Sequence, residues 1–195
     1  AVLTHHSELD EKIRRLRTHG MIKDNSKFSI QHQSLNEPWN YEMHELGYNY
    51  RITDFQCALG SNQLKKLDRF VQKRRKISKR YDDSFSNIEN IKIPELLSNV
   101  EPSYHLYPLQ IDFKKLLFSK VELFERMKKA GINLQVHYIP IHLQPFYKKN
   151  YGFQQGDFPI SERFYQNELS LPIYPDLSDK NVSLVIDSIL EIIPT

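Results

Sequence analysis

Phe55, Leu59, Leu64, Leu67, Phe70, Val71, Ile77, Tyr81 and Phe85 recur at roughly helical spacing, and this run constrains the fold more than any other feature of the sequence. It predicts a long helical stretch, entered through Thr53 or Asp54 as N-cap and bent near Gly60–Ser61 or Asp68. Its polar side is basic. Between Leu64 and Arg80, nine Lys/Arg stand against the single acid Asp68, a local net of +8 in a chain whose net is +3. The remainder is therefore slightly acidic, which describes a basic helix on an acidic body rather than a generally basic protein.

Shorter patterns flank this stretch. "AVLT" at the start reads as an edge strand. Ser7 is placed to cap a helix striped by Leu9, Ile13 and Leu16, with Gly20 at its C′ position. Residues 21–50 lack periodicity and carry Pro38, Trp39 and three Tyr, and a loop of that length is often functional. Beyond Phe85, "NIKIP" and "HLYPLQIDF" (105–113) predict strands, and "INLQVHYIP" (132–140) predicts another that ends in a proline turn. Ser119 and Glu122 form a capping-box pair before a helix that stops at Gly131–Ile132. A short helix from Ser161 to about Glu168 leads into the extended "LSLPIYPDLS". The last helix is capped by Ser178 and buries Val182, Val185, Ile186, Ile189 and Ile193. Residues 90–195 thus predict a small α/β domain, a helix layer on a mostly antiparallel sheet.

Several chemistries are excluded or left without support. No apolar run approaches the roughly 18 residues of a membrane span, and no signal-peptide pattern opens the chain. The single Cys57 rules out an internal disulfide and fits a reducing cytoplasm. There is no GxSxG, and six glycines in all leave no P-loop or Rossmann fingerprint. His5, His6, His19, His32 and His44 show no metal-ligand spacing. His137 and His142 flank two prolines in "VHYIPIHLQP"; that rigid segment, with Tyr138, either lines a polar pocket or is a strand end packed by Tyr138 and Phe146. The basic stretch 64–80 allows a nucleic-acid reading, but no recognised base-reading motif accompanies it, and a solvated helix face is the commoner explanation of such a run.

The segment "LGYNYRITDFQCALGSNQLKKLDRFVQKRRKISKRYDDSF" (46–85) adds a resemblance. It is similar to a segment downstream of the active-site lysine in the DegT/DnrJ/EryC1/StrS family. These are fold type I enzymes that use pyridoxal 5'-phosphate (PLP) to move an amino group, usually from glutamate, to a keto group on a nucleotide-linked sugar. "AVLTHHSELDEKIRRLRTHGM" (1–21), "QVHYIPIHLQPFYKKNYGF" (135–153) and "FPISERFYQNELSLPIYPDLSD" (158–179) resemble other family segments in the same order. "VHYIPIHLQPFY" is most similar to enzymes that make UDP-4-amino-4,6-dideoxy-N-acetyl-altrosamine, a precursor of pseudaminic acid and so of cell-surface polysaccharide.

The resemblance implies an α/β fold, the C-terminal part of a fold type I transferase. The end of the large PLP domain would occupy residues 1–68 and a small α/β domain residues 69–195. It places the Schiff-base lysine upstream of Ala1, so no catalytic residue is assigned here and this chain alone is expected to be inactive. The loop "GYNYR" would cross a homodimer interface, with Asn49 on the partner's PLP phosphate and Arg51 adding charge or orienting the loop. Tyr48, His137, Tyr138 and His142 become candidates for the sugar side, and Tyr50 packs the loop or touches substrate. Read without the resemblance, Asn49 is a turn residue. The expected partners are the nucleotide-linked keto-sugar and the amino donor, with no nucleic acid, membrane or metal. Two further readings stay open: a nucleic-acid module using helix 64–80, and a non-catalytic assembly domain or split-gene remnant. Bare apolar surface would then give poor solubility or forced association.

Overall fold

The computed structural model describes residues 2–29 and 39–193, so His32 and Pro38 of the expected functional loop lie outside the described residues. The described residues form α1 (Ser7–Leu16), β1 (Met21–Ile22), β2 (Glu42–Met43), α2 (Asp54–Leu64) and α3 (Leu67–Phe85). These are followed by β3 (Ile91–Lys92), β4 (Tyr107–Ile111), α4 (Lys120–Lys129), α5 (Pro145–Tyr151), α6 (Pro159–Asn167), β5 (Glu168–Leu171) and α7 (Asp179–Ile192). Two units separate between Leu64 and Lys65.

The expected long helix is two helices, broken at Lys65–Lys66, just before the bend anticipated at Asp68. Thr53 caps the first: its hydroxyl accepts from the Gln56 N–H, and the Gln56 side chain accepts from the Thr53 N–H. This is a capping box with glutamine in the third position. The two helices differ in burial. Phe55 is 80% exposed, whereas Ile77, Tyr81 and Phe85 on α3 are buried. Helical geometry explains the difference. At 100° per residue, Cys57 and Leu64 fall opposite Phe55 and Leu59, so α2 has no single apolar face, whereas α3 has one.

The second unit is built on an antiparallel sheet in the order β3-β4-β5. Tyr107, Leu109 and Ile111 alternate inward along β4. They share one core with Tyr81 and Phe85 of α3, Leu123 and Met127 of α4, and Val182, Val185 and Ile189 of α7. The buried tyrosines keep their polar ends satisfied, Tyr81 donating to the Pro172 carbonyl and Tyr107 to Asp82. Burial pushes both phenols well above their ordinary value.

The capping expectations at Ser119 and Ser178 hold, each side chain accepting from the third residue of its helix. The stop at Gly131 is a Schellman turn, with Ile132 N–H on the Met127 carbonyl and Gly131 N–H on Lys128.

Three local expectations are corrected. Val2–Thr4 form no strand, because no strand among the described residues pairs with them. Ser7 does not cap α1. The N-cap is one residue earlier, at His6, whose carbonyl accepts from Asp10 N–H, so Ser7 is already the first residue of the helix, and Gly20 lies beyond the C-cap Arg17. The segment 132–140 keeps strand-like alternation, with Ile132 and Leu134 buried, yet pairs only at Gln135 with Ser170. Two residues on, the His137 N–H goes to the Glu168 carboxylate instead of to a strand backbone, and Pro140 has no donor to give.

The burial contrast makes a prediction. Phe85→Ala should lower unfolding stability by about 3–5 kcal/mol, the range for a deleted core aromatic. Phe55→Ala should stay within about 0.5 kcal/mol. Urea unfolding of both variants measures this; equal losses would contradict the assignment of the core to the α3 side.

Candidate functional site

In the first unit, the segment His44–Tyr50 is laced to the end of α1 by backbone hydrogen bonds. Tyr48 N–H donates to the Leu16 carbonyl, Tyr50 N–H to Arg17, His44 N–H to Gly20, and His19 N–H returns to Tyr48. Such close approach needs two glycines. A Cβ on Gly20, whose φ is +72°, would collide with the Glu45 carbonyl, and one on Gly47 would lie 2.5 Å from the Leu16 carbonyl oxygen. Arg15 adds an ion pair to Glu45.

The side chains that emerge from this base fall into two pairs. The Tyr48 and Tyr50 rings stack with centroids 5.5 Å apart. Asn49 and Arg51 form the other pair, the Arg51 Nε donating to the Asn49 Oδ1 at 3.2 Å. Residues two apart on an extended chain share a side, which accounts for the pairing. Because the Asn49 amide oxygen is engaged, its NH2 points away as a donor. Both residues are exposed, and among the described residues Arg51 has no carboxylate partner. An amide donor beside an unpaired guanidinium suits a phosphate dianion.

In the second unit, His137 and His142 are held on different carboxylates, and Tyr138 lies beside His137. Glu168, fully buried in β5, accepts from the His137 N–H at 3.0 Å and from the Ser170 hydroxyl at 2.6 Å. The Ser170 Oγ is in turn 2.8 Å from the His137 Nδ1. Tyr138 is 70% exposed, its ring edge-on to His137. Lys120, whose ammonium donates to the Tyr165 carbonyl, is held below the ordinary lysine value by burial, with the Glu168 charge acting in the opposite direction.

His142 is buried, and its Nε2 lies 2.9 Å from Glu162. Glu162 also accepts from the Gly156 N–H, which fastens the loop after α5. The His142 hydrogen bond first, and the Gly156 N–H second, hold the Glu162 carboxyl below its ordinary value. His142 therefore has only its Nδ1 left for other contacts.

Glu162, Glu168, Ser170 and Lys120 were not among the residues singled out from sequence. The available signal was the alternation in "ELSL", where a glutamate and a serine two apart share one side of a strand that is buried throughout. A carboxylate there must find partners.

Four of the basic residues on α3 meet acids: Lys73 meets Asp176, Arg75 meets Glu101, Lys79 meets Asp83 and Arg80 meets Asp179. No group of three or more His, Cys, Asp or Glu among the described residues is arranged to hold a metal ion.

Comparison with known proteins gives one consistent family. The sequence pattern described as the DegT/DnrJ/EryC1/StrS aminotransferase family matches residues 1–190. The chain is 40% identical over 192 residues to the uncharacterized protein MJ1066 of Methanocaldococcus jannaschii, covering 98% of this chain and 49% of the relative. It is 37% identical over 193 residues to the UDP-4-amino-4,6-dideoxy-N-acetyl-beta-L-altrosamine transaminase of Campylobacter jejuni, covering 99% and 47% respectively. Among solved structures, Helicobacter pylori PseC, an aminotransferase of pseudaminic acid biosynthesis, superimposes with a TM-score of 0.81 at 30% identity, covering 97% of this chain and 47% of that one. The chain thus spans about half the length of the curated relatives it matches.

The Glu162 cluster sets a pH dependence. A carboxyl whose folded value is lowered contributes stability that is fully present above the ordinary 4.5 and lost as pH falls through the lowered value. Protection of the Gly156 amide against hydrogen exchange should follow that curve, and Glu162→Ala should lose it at every pH. Protection that is the same in wild type and variant would show that the carboxylate does not hold the loop.

Proposed function

The chain belongs to the DegT/DnrJ/EryC1/StrS aminotransferase family, and on that premise we propose that it works in a PLP-dependent enzyme that transfers an amino group, from glutamate, to a keto group of a nucleotide-linked sugar. Its end of the large cofactor domain would occupy 1–68 and its small domain 69–195. The observation that carries the reading is the "GYNYR" arm: an asparagine NH2 and a guanidinium with no carboxylate partner among the described residues, on one side of a backbone fixed to α1. That donor set matches a phosphate in charge and in donor number, so the residues present fit the cofactor's phosphate.

Asn49 donates its amide hydrogens to the phosphate. Arg51 has two tasks, holding the Asn49 oxygen and adding positive charge. PLP, when bound, supplies the electron sink for amino transfer. Tyr48 and Tyr50 wall the arm, and His137, Tyr138 and His142 serve the sugar nucleotide. The arm acts in trans within a homodimer, a role that suits side chains exposed on their own chain. The similarity to the Campylobacter jejuni transaminase favours a UDP-linked amino-sugar precursor in the pseudaminic acid route as substrate. No helix among the described residues is long and apolar enough to cross a membrane. Cys57 is a free thiol, which suits the reducing cytoplasm in which we place the enzyme.

The test is PLP retention by the complete gene product, read as bound-cofactor absorbance after dialysis. Asn49→Ala should weaken retention roughly tenfold or more, the loss of a hydrogen bond to a charged group. Arg51→Ala should weaken it as well. Unchanged retention in both variants would defeat the phosphate role.

A further inference from the structure

With Glu168 as a carboxylate and the imidazole neutral, the Glu168–Ser170–His137 chain has one consistent arrangement of protons. A carboxylate is an acceptor only, and Glu168 sits near the Lys120 ammonium while taking a backbone N–H and a hydroxyl. The 2.6 Å separation from the Ser170 Oγ is in the range of a charge-assisted O–H···O⁻ bond. Ser170 has a single hydrogen, and Glu168 takes it. The Ser170 oxygen therefore faces the His137 Nδ1, 2.8 Å away, as an acceptor. The Nδ1 must then carry a hydrogen. A neutral imidazole carries only one, which leaves the Nε2 with a bare lone pair. The ring is half-buried, and its Nε2 has no partner among the described residues.

We propose that Glu168 and Ser170 are positioning residues that fix His137 as the Nδ1–H tautomer, so that its Nε2 accepts a hydrogen bond from a hydroxyl or N–H of the bound sugar nucleotide. The ligand half rests on the aminotransferase reading given above; the tautomer half does not. The arrangement selects donor groups on the ligand and disfavours a carbonyl at that position. The selection comes from two residues that need not touch the ligand.

The two halves are tested separately on the complete gene product. Nitrogen NMR of isotope-labelled histidine, at a pH where the ring is neutral, should find the hydrogen of His137 on Nδ1. In Ser170→Ala the acceptor is gone and the population should move toward the Nε2–H form; Ser170→Thr, which keeps the hydroxyl, should restore it. Saturating UDP-N-acetylglucosamine should shift the wild-type Nε2 resonance. The affinity for this probe should fall several-fold in Ser170→Ala and stay within about twofold in Ser170→Thr, as expected for one neutral hydrogen bond. A purely structural serine would not give the tautomer change or its rescue.

A wild-type Nε2–H ring overturns the proposal outright. A ring on Nδ1 that does not respond to the sugar nucleotide overturns the ligand half. Either failure can occur with PLP retention intact, so the aminotransferase reading stands or falls on its own measurement.

Discussion

A carboxylate placed at full burial in β5 has to be satisfied from every side, and much of the second unit is arranged around that need. An unpaired charge there would cost several kcal/mol. Glu168 avoids the cost by taking a backbone donor from the segment after α4, a hydroxyl from its own strand and the field of Lys120. Gln135 still exchanges backbone hydrogen bonds with Ser170, but His137 is drawn to a side chain where a strand would have supplied a backbone partner. The irregular backbone at His137 is thus the counterpart of the buried charge, and the same network orders the imidazole.

The first unit solves a different problem. An exposed loop with two tyrosines, an asparagine and an arginine has no core to organise it. Backbone hydrogen bonds to the end of α1, made at glycine-only separations, provide the order. Among the described residues, Tyr48 then pairs with Tyr50 and Asn49 with Arg51.

Helix ends and the core of the second unit were legible in the sequence because they depend on local rules. The capping box at Ser119–Glu122, the stop at Gly131 and the apolar stripe of α7 each follow from residues within a few positions of one another. The arm was legible as an anomaly, two tyrosines, an asparagine and an arginine that no packing argument required. What could not be seen was set by partners distant in sequence. The strand expected at 132–140 fails because Glu168, 31 residues past His137, takes a donor. The basic stretch on α3 looked unbalanced, yet Arg80 meets Asp179, 99 residues on. Helical spacing ran on through Lys65–Lys66, where the chain divides into two units.

The lacing of His44–Tyr50 onto α1 also bears on the entropy of binding. Ordering a free loop on a ligand costs about 1–2 kcal/mol per residue of backbone freedom, and a seven-residue arm would lose most of its gain in that way. Here the backbone is already immobilised by α1. In the phosphate role proposed above, only a few side-chain rotamers would remain to be fixed, so a small number of hydrogen bonds would be enough to hold an anion that a mobile loop would release.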